Sequence, residues 1–163
     1  MITLVRHAKS TANGEAAIAR GNPMAELSEE GLRQCPDLRD RIAILAGERA
    51  LSSITVNVSE LWRTQQTAQE VGFEVFRCMP ILNESTEAAP LRVLLPRMQA
   101  GWLPHDTLKR AEVFLGNPEL QAKFNFSHGL FIASCRYVAG DRPKDGNTLR
   151  LVPFYAQAVE IPS

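Results

Sequence analysis

Hydrophobic and polar positions follow two different periods along the chain, and this pattern predicts strands separated by helices. The continuous apolar run at residues 2–5 predicts a strand that is covered on both faces. Residues 28–46 predict a helix, because leucine and isoleucine recur at helical spacing after the capping sequence Ser28-Glu29-Glu30. Gly47 is a suitable residue to end that helix.

The same alternation continues towards the C terminus. Further strands are predicted at 54–58, 73–76 and 124–126, and further helices at 60–71, 106–115 and 130–138. Residues 148–152 and 157–161 have hairpin character, with Pro153 in the loop between them. No repeat, low-complexity tract or linker divides the chain, so we expect residues 1–163 to form one domain. Strands that alternate with helices predict an α/β sandwich with a largely parallel sheet.

Ligands of such sheets bind beyond the carboxyl ends of the strands, where loops lead into helix N-termini. Two of the predicted strand-to-helix junctions carry Arg6-His7 and His128, and the third precedes Arg63 by about one helical turn. We therefore expect these two arginines and two histidines to converge on one site.

The charge of the chain restricts its partners. Lysines and arginines number 18, and aspartates and glutamates also number 18. A chain without excess positive charge lacks the field that attracts nucleic acid or an anionic membrane, so we expect a small-molecule or peptide partner. The charge of an anionic ligand would have to be met by a few converging arginines.

The N-terminal apolar run is too short for a signal peptide, and no stretch has the length of a transmembrane helix. The three cysteines, Cys35, Cys78 and Cys135, are widely spaced and odd in number, which favours neither a disulfide framework nor a zinc site. We interpret them as buried thiols in a reducing compartment and expect a cytoplasmic protein.

Five short motifs follow one another between residues 4 and 129. They are Leu4-Val5-Arg6-His7, Leu27-Ser28-Glu29-Glu30-Gly31, Ser59-x-Leu61-x-Arg63-Thr64-x-Gln66-Thr67-Ala68, Leu82-Asn83-Glu84 and Ser127-His128-Gly129. In content and order they resemble the motifs of the histidine phosphatase (phosphoglycerate mutase-like) superfamily. The resemblance implies the fold of that superfamily, a three-layer α/β/α sandwich with a mostly parallel sheet.

The resemblance also implies a phosphatase that hydrolyses a phosphomonoester of a small metabolite or a phosphopeptide. A neutral imidazole is nucleophilic near pH 7, so His7 would form a phosphohistidine intermediate without a metal or another cofactor. The matching positions imply a set of phosphate-binding residues: Arg6, Asn13, Arg63, His128 and Gly129. Glu84 matches the acid that protonates the leaving oxygen, and Glu87, three residues later, is the alternative.

Three departures from the family pattern keep other hypotheses open. Ala8 stands where the family has glycine, and Lys9 stands where an acidic residue is common. Alanine disfavours a positive φ, so a phosphate-binding protein of the same fold without turnover is one alternative. Mutase-type phosphoryl transfer is another, but Ser85 stands where mutases carry an arginine after the acid.

The apolar run at residues 90–104 lies outside the motifs. We interpret most of its apolar residues as core, with a lid on the substrate side as the alternative. His105 follows this run and is predicted to be an exposed loop histidine.

Overall fold

The computed structural model describes residues 1–12, 22–86 and 89–162, and it contains a five-stranded sheet with helices on both faces. The strands are β1 (Ile2–Arg6), β2 (Thr55–Val58), β3 (Val75–Cys78), β4 (Phe124–Ser127) and β5 (Ala158–Ile161). The α-helices are α1 (Glu29–Ala46), α2 (Trp62–Val71), α3 (Leu91–Gln99), α4 (His105–Gly116) and α5 (Gly129–Val138). In the described part of the chain, no helix is long and apolar enough to cross a membrane.

The strand order is β3-β2-β4-β1-β5, and every neighbouring pair is parallel except β1 with β5. Because parallel strands end at the same edge of a sheet, the residues that follow β1, β2 and β4 meet there. The antiparallel β5 begins at this edge, since Ala158 pairs with Val5 near the end of β1. The loop before β5 therefore also reaches the site edge.

Two hydrophobic clusters cover the two faces of the sheet. On one face, Leu38 and Ile42 of α1 and Ala68 of α2 pack with Val5 and Phe126 of the sheet. The other face is covered by α4 and α5, whose aromatic side chains Phe114 and Phe131 join the cluster of Ile2 and Leu4. Alternate residues of β1 thus face opposite layers, and the predicted three-layer α/β/α sandwich is confirmed.

The structure corrects two of the predicted elements. The strand predicted at 73–76 lies two residues later, because Gly72 ends α2 in the left-handed conformation and Phe73 turns into the core against Phe124. The predicted hairpin is wrong. Residues 148–151 form a 3₁₀-helix, held by Thr148, whose hydroxyl bonds to backbone carbonyls of the α3–α4 region, and β5 pairs with β1 instead.

The run at residues 90–104 contains helix α3 and divides between two roles. Leu94, Met98 and Leu103 are buried, as a core interpretation requires, whereas Val93 and Leu95 are more than one third exposed. His105 is exposed as predicted, but it is the first residue of α4 and not part of a loop.

Two of the three cysteines are buried as predicted. Cys35 and Cys135 lie in the core, and burial raises the pKa of the Cys35 thiol to about 11. Cys78, the last residue of β3, is exposed, so the prediction for it is wrong. The reason is its position on the edge strand of the sheet, outside the helices that cover the central strands.

Gly31 allows the first turn of α1 to pack directly on the backbone that follows His7. A β-carbon at residue 31 would lie 2.0 Å from the carbonyl oxygen of Lys9. That oxygen also accepts hydrogen bonds from the backbone N–H and the hydroxyl of Ser28, the N-cap of α1. The glycine of the second motif therefore has a packing function next to the first motif.

We expect Gly31→Ala to lower the free energy of unfolding by about 1–3 kcal/mol, the usual cost of forcing atoms into a packed site. Urea unfolding of the purified variant measures this change. The matched control is Gly116→Ala at the end of α4, where a β-carbon would meet no atom within 4 Å. Equal stability of the two variants would show that the contact with Lys9 imposes no constraint.

Candidate active site

His7 follows β1 directly, and its ring is hydrogen-bonded at both nitrogens. Nδ1 lies 2.6 Å from the carbonyl oxygen of Ala8, and Nε2 lies 3.3 Å from the Nε of Arg63. A carbonyl can only accept and a guanidinium can only donate, so Nδ1 carries the proton and Nε2 carries the lone pair. The atom that a nucleophilic histidine needs is therefore unprotonated and turned towards a cation.

The surroundings of His7 keep its ring neutral. The side chain is buried, and burial lowers its pKa well below the usual value of 6.5. The nearby charges of Arg63 and Arg6 lower the pKa further, and together these effects exceed the opposing effect of the Ala8 carbonyl. The ring is thus neutral at pH 7, and its Nε2 lone pair accepts the hydrogen bond from Arg63.

Arg63 reaches His7 from the first turn of α2, which starts just after the end of β2. Its side chain is buried. Besides the contact with His7, its guanidinium donates a hydrogen bond to the carbonyl of Asn22 at 3.1 Å. Burial lowers the pKa of Arg63, and the charges of Glu84 and Tyr155 partly offset that effect.

The other residues of the third motif connect α2 to the remaining motifs. The hydroxyl of Thr67 accepts a hydrogen bond from the backbone N–H of Ala8 at 3.0 Å and donates one to the carbonyl of Arg63. The side-chain oxygen of Gln66 accepts a hydrogen bond from the backbone of Leu27 at 2.7 Å. The spacing of this motif therefore places successive polar side chains against the segments that carry His7 and Gly31.

His128 follows β4 and lies beside His7, with 5.0 Å between the ring centroids. It is fully buried, and its Nε2 forms a hydrogen bond of 2.8 Å with the hydroxyl of Ser59, which follows β2. Its Nδ1 is buried and has no hydrogen-bond partner in the described part of the chain. Burial, followed by the charge of His7 and the arginines, lowers the pKa of His128 well below 6.5.

Arg6, the last residue of β1, is held against the loop that precedes β5. Its guanidinium donates a hydrogen bond of 2.6 Å to the carbonyl of Pro153 and stacks on Tyr155, with its central carbon 3.8 Å from the ring centroid. A β-carbon at Gly129 would lie 3.1 Å from that central carbon. The glycine at the start of α5 therefore lets the arginine approach the helix closely.

Glu84 is partly buried near both arginines, at the end of a segment that other side chains hold in place. Arg110 of α4 donates hydrogen bonds to the carbonyls of Asn83 and Glu84, at 2.6 and 3.1 Å. Burial raises the pKa of the Glu84 carboxyl, although the backbone of Ser85 and the charges of Arg6 and Arg63 oppose this shift. A raised pKa favours a carboxyl group that can donate a proton.

Two of the predicted site residues, Asn13 and Glu87, lie outside the described residues, so their assignments stay predictions. The structure places the side chains of Arg6, His7, Arg63 and Glu84 along one cavity, together with the backbone of Gly129. His128 is in ring contact with His7 and is fully buried, and it is not among the described residues that line the cavity.

Ala8 and Lys9 fit their positions without strain. Among the described non-glycine residues, Ala156 alone has a positive φ, of 53°, so the backbone at Ala8 does not require a glycine. Ala8 is fully buried, which suits a small side chain. The ammonium of Lys9 pairs with Glu30 of α1 and does not line the cavity.

The cavity has a volume of about 290 Å³ and combines the charged residues with an apolar wall. The wall consists of Leu94, Leu95, Met98, Leu130, Leu149 and Val152. Tyr155 lies near the arginines, and Ala12 also lines the cavity. The size of the cavity suits a small organic ligand.

Sequence reasoning missed Tyr155 and the wall residues Leu130, Leu149 and Val152. It considered the rest of the wall, within residues 90–104, mainly as core, with a substrate-side lid as the alternative. No local pattern marks Tyr155, whose ring lies 5.8 Å from that of His7. The signal that could have found it is topological, because an antiparallel last strand beside β1 brings the preceding loop to His7. In the described ranges, no group of three histidine, cysteine or acidic side chains is arranged to hold a metal ion.

Comparison with protein families shows where the chain belongs. The family model described as "Histidine phosphatase superfamily (branch 1)" matches residues 2–85, slightly more than half of the chain. The chain is therefore a member of the histidine phosphatase superfamily, as the motifs predicted. This membership supports the activity of a phosphoric monoester hydrolase. A search of curated protein sequences finds no match.

Solved structures of phosphatases share the fold. A phosphoserine phosphatase from Entamoeba histolytica, solved with phosphoserine, has a TM-score of 0.66 at 16% identity, covering 96% of this chain and 87% of its own. A mycobacterial glucosyl-3-phosphoglycerate phosphatase has a TM-score of 0.61 at 21% identity, covering 96% and 88%. A protein described as a putative phosphohistidine phosphatase, SixA, from Agrobacterium tumefaciens, has a TM-score of 0.52 at 16% identity, covering 86% and 76%.

Proposed function

We propose that this chain is a phosphatase that hydrolyses a phosphomonoester through a phosphohistidine intermediate on His7. The observation that carries the proposal is the arrangement of the His7 ring, with its lone pair on Nε2 beside the Arg63 guanidinium and the protonated Nδ1 held by the Ala8 carbonyl. Two nearby arginines can bind a dianionic phosphoryl group while the nucleophile stays neutral.

In the first step, Nε2 of His7 attacks phosphorus and the bond between phosphorus and the ester oxygen breaks. Arg6 and Arg63 bind the non-bridging oxygens, whose charge needs stabilisation during transfer. His128 and the backbone N–H groups at the start of α5 are further donors in this proposal. Asn13 keeps the phosphate-binding role that the family resemblance implies.

Glu84 is the proposed general acid of this step. Its carboxyl group gives a proton to the leaving ester oxygen, so the product leaves as a neutral alcohol. In the free protein, the charges of the arginines lower the pKa of Glu84 and so reduce the rise that burial causes. A bound phosphate dianion would offset those charges, and we therefore expect the pKa of Glu84 to rise further when substrate binds.

In the second step, the Glu84 carboxylate accepts a proton from a water molecule, which attacks phosphorus. The bond between phosphorus and Nε2 breaks, inorganic phosphate forms, and His7 returns to its neutral state. Each proton and electron pair is accounted for by these two side chains and water, so the proposed reaction needs no cofactor.

Water is the proposed acceptor in preference to a second hydroxyl of the substrate. Ser85 occupies the position after the acid, and its hydroxyl donates a hydrogen bond to Asp106 at 2.8 Å. This contact provides no cation for a sugar-acid substrate, which disfavours the mutase alternative.

The size of the cavity favours a small molecule over a phosphopeptide. We retain the predictions of a single domain and a cytoplasmic location.

We expect the purified protein to release phosphate from 4-nitrophenyl phosphate in the presence of a metal chelator. His7→Ala should abolish this release, because no other side chain in the proposed mechanism attacks phosphorus. The control is His105→Ala, which removes an exposed histidine at the start of α4. Undiminished turnover by His7→Ala would refute the proposal.

We expect Glu84→Gln to lower kcat/KM for an alkyl phosphate by about 10²–10⁴-fold, the usual contribution of a positioned acid. The loss should be much smaller for 4-nitrophenyl phosphate, whose leaving group needs little protonation. Since the acid acts when protonated, kcat/KM for the alkyl ester should fall as pH rises through the pKa of Glu84, and this limb should be absent in the variant. Glu87→Gln is the matched variant. If Glu87→Gln shows these losses instead, Glu87 is the acid.

A further inference from the structure

The apolar wall begins directly beside the proposed phosphate site. A β-carbon at Gly129 would lie 3.0 Å from a methyl carbon of Val152 and 3.1 Å from the guanidinium carbon of Arg6. Val152 in turn belongs to one hydrophobic cluster with Met98, Leu130 and Leu149. A substrate that places its phosphoryl group on the arginines would therefore extend its alcohol portion along a continuous apolar surface.

The positively charged side chains that line the cavity lie at the proposed phosphate site. Among the described residues these are Arg6 and Arg63, and Glu84 adds an acidic group. Arg97 of α3 stacks on Trp102, at 3.8 Å from its ring, and does not line the cavity. Along the described part of the lining, a carboxylate or second phosphate on the substrate would thus face apolar side chains.

This distribution of charge has a direct consequence for selectivity. An ionised group that leaves water for an apolar wall loses its hydration and gains no partner, which opposes binding. An alkyl or aryl group gains from the same transfer, because apolar surface is removed from water. The wall therefore discriminates against substrates that carry a second negative charge.

We propose that the substrate of this enzyme is the phosphomonoester of an apolar alcohol, with an alkyl or aryl group of a size that the cavity holds. The proposal rests on the phosphatase function proposed above and specifies the substrate class of the same site. The phosphoryl group binds at Arg6 and Arg63, and the apolar group packs against α3, the start of α5 and the loop that contains Val152.

The test compares esters whose leaving groups are all aliphatic alcohols. The kcat/KM for hexyl phosphate should exceed that for O-phosphoserine and for 3-phosphoglycerate by about 10²-fold, which is the scale of discrimination in apolar pockets. 4-Nitrophenyl phosphate reports the basal activity in every assay, and His7→Ala shows whether each activity comes from the proposed site.

A substitution at the wall tests where the selectivity arises. Leu95 lines the cavity but is 38% exposed, so Leu95→Arg introduces a cation without burying it fully. This variant should lower the preference for hexyl phosphate over O-phosphoserine by up to about fivefold, the effect of one partly exposed ion pair. The matched control is Val93→Arg on the same helix, which is 41% exposed and does not line the cavity, and it should leave the preference unchanged.

The outcomes separate the two proposals. A preference for hexyl phosphate that Leu95→Arg reduces and Val93→Arg does not supports the apolar substrate class. Equal or better turnover of O-phosphoserine by the unmodified enzyme overturns that class, and the phosphatase function stands if the activity depends on His7. Equal shifts in the two arginine variants overturn the role of the wall. If the protein hydrolyses none of the esters, the phosphatase function fails and the substrate class fails with it.

Discussion

The neutral imidazole of His7, fixed by a hydrogen bond at each ring nitrogen, is the feature on which the site depends. The Ala8 carbonyl holds the proton on Nδ1, and the Arg63 guanidinium faces the lone pair on Nε2. Burial and two neighbouring cations lower the pKa of the ring and so favour its neutral form. The same cations that would bind a phosphoryl group thus also keep its proposed acceptor in the reactive form.

The short motifs of the chain make sense as contacts around this histidine. Gly31 lets α1 pack on the backbone just beyond it, and Thr67 fixes that backbone from α2. Ser59 holds one ring nitrogen of His128, and Gly129 gives Arg6 room beside α5. The fold brings these residues together, because β1, β2 and β4 end at one edge of the sheet.

The sequence predicted the parts of the structure that depend on local patterns. The continuous apolar run of β1, the alternating patterns of β2 and β4 and the capped helix α1 follow from the order of apolar and polar residues, and the motifs identified the polar residues at the strand ends. The position of Tyr155 depends on how β5 pairs with β1, which no local pattern contains. The hairpin prediction failed for the same reason, since Thr148 is held by contacts with residues about 50 positions away. The apolar wall was only partly foreseen, because residues of one helix divide between core and cavity.

The cavity thus has a charged part built from family motifs and an apolar part built from segments outside them. The charged part supports the proposed reaction, and the apolar part supports the proposed class of substrate. The phosphohistidine intermediate is the central claim of this account, and rapid quenching with a radiolabelled phosphomonoester tests it most directly. We predict a phosphoryl group that is labile in acid, stable in base and attached to Nε2 of His7. Turnover without a labelled protein, or a label on a different residue, would contradict it.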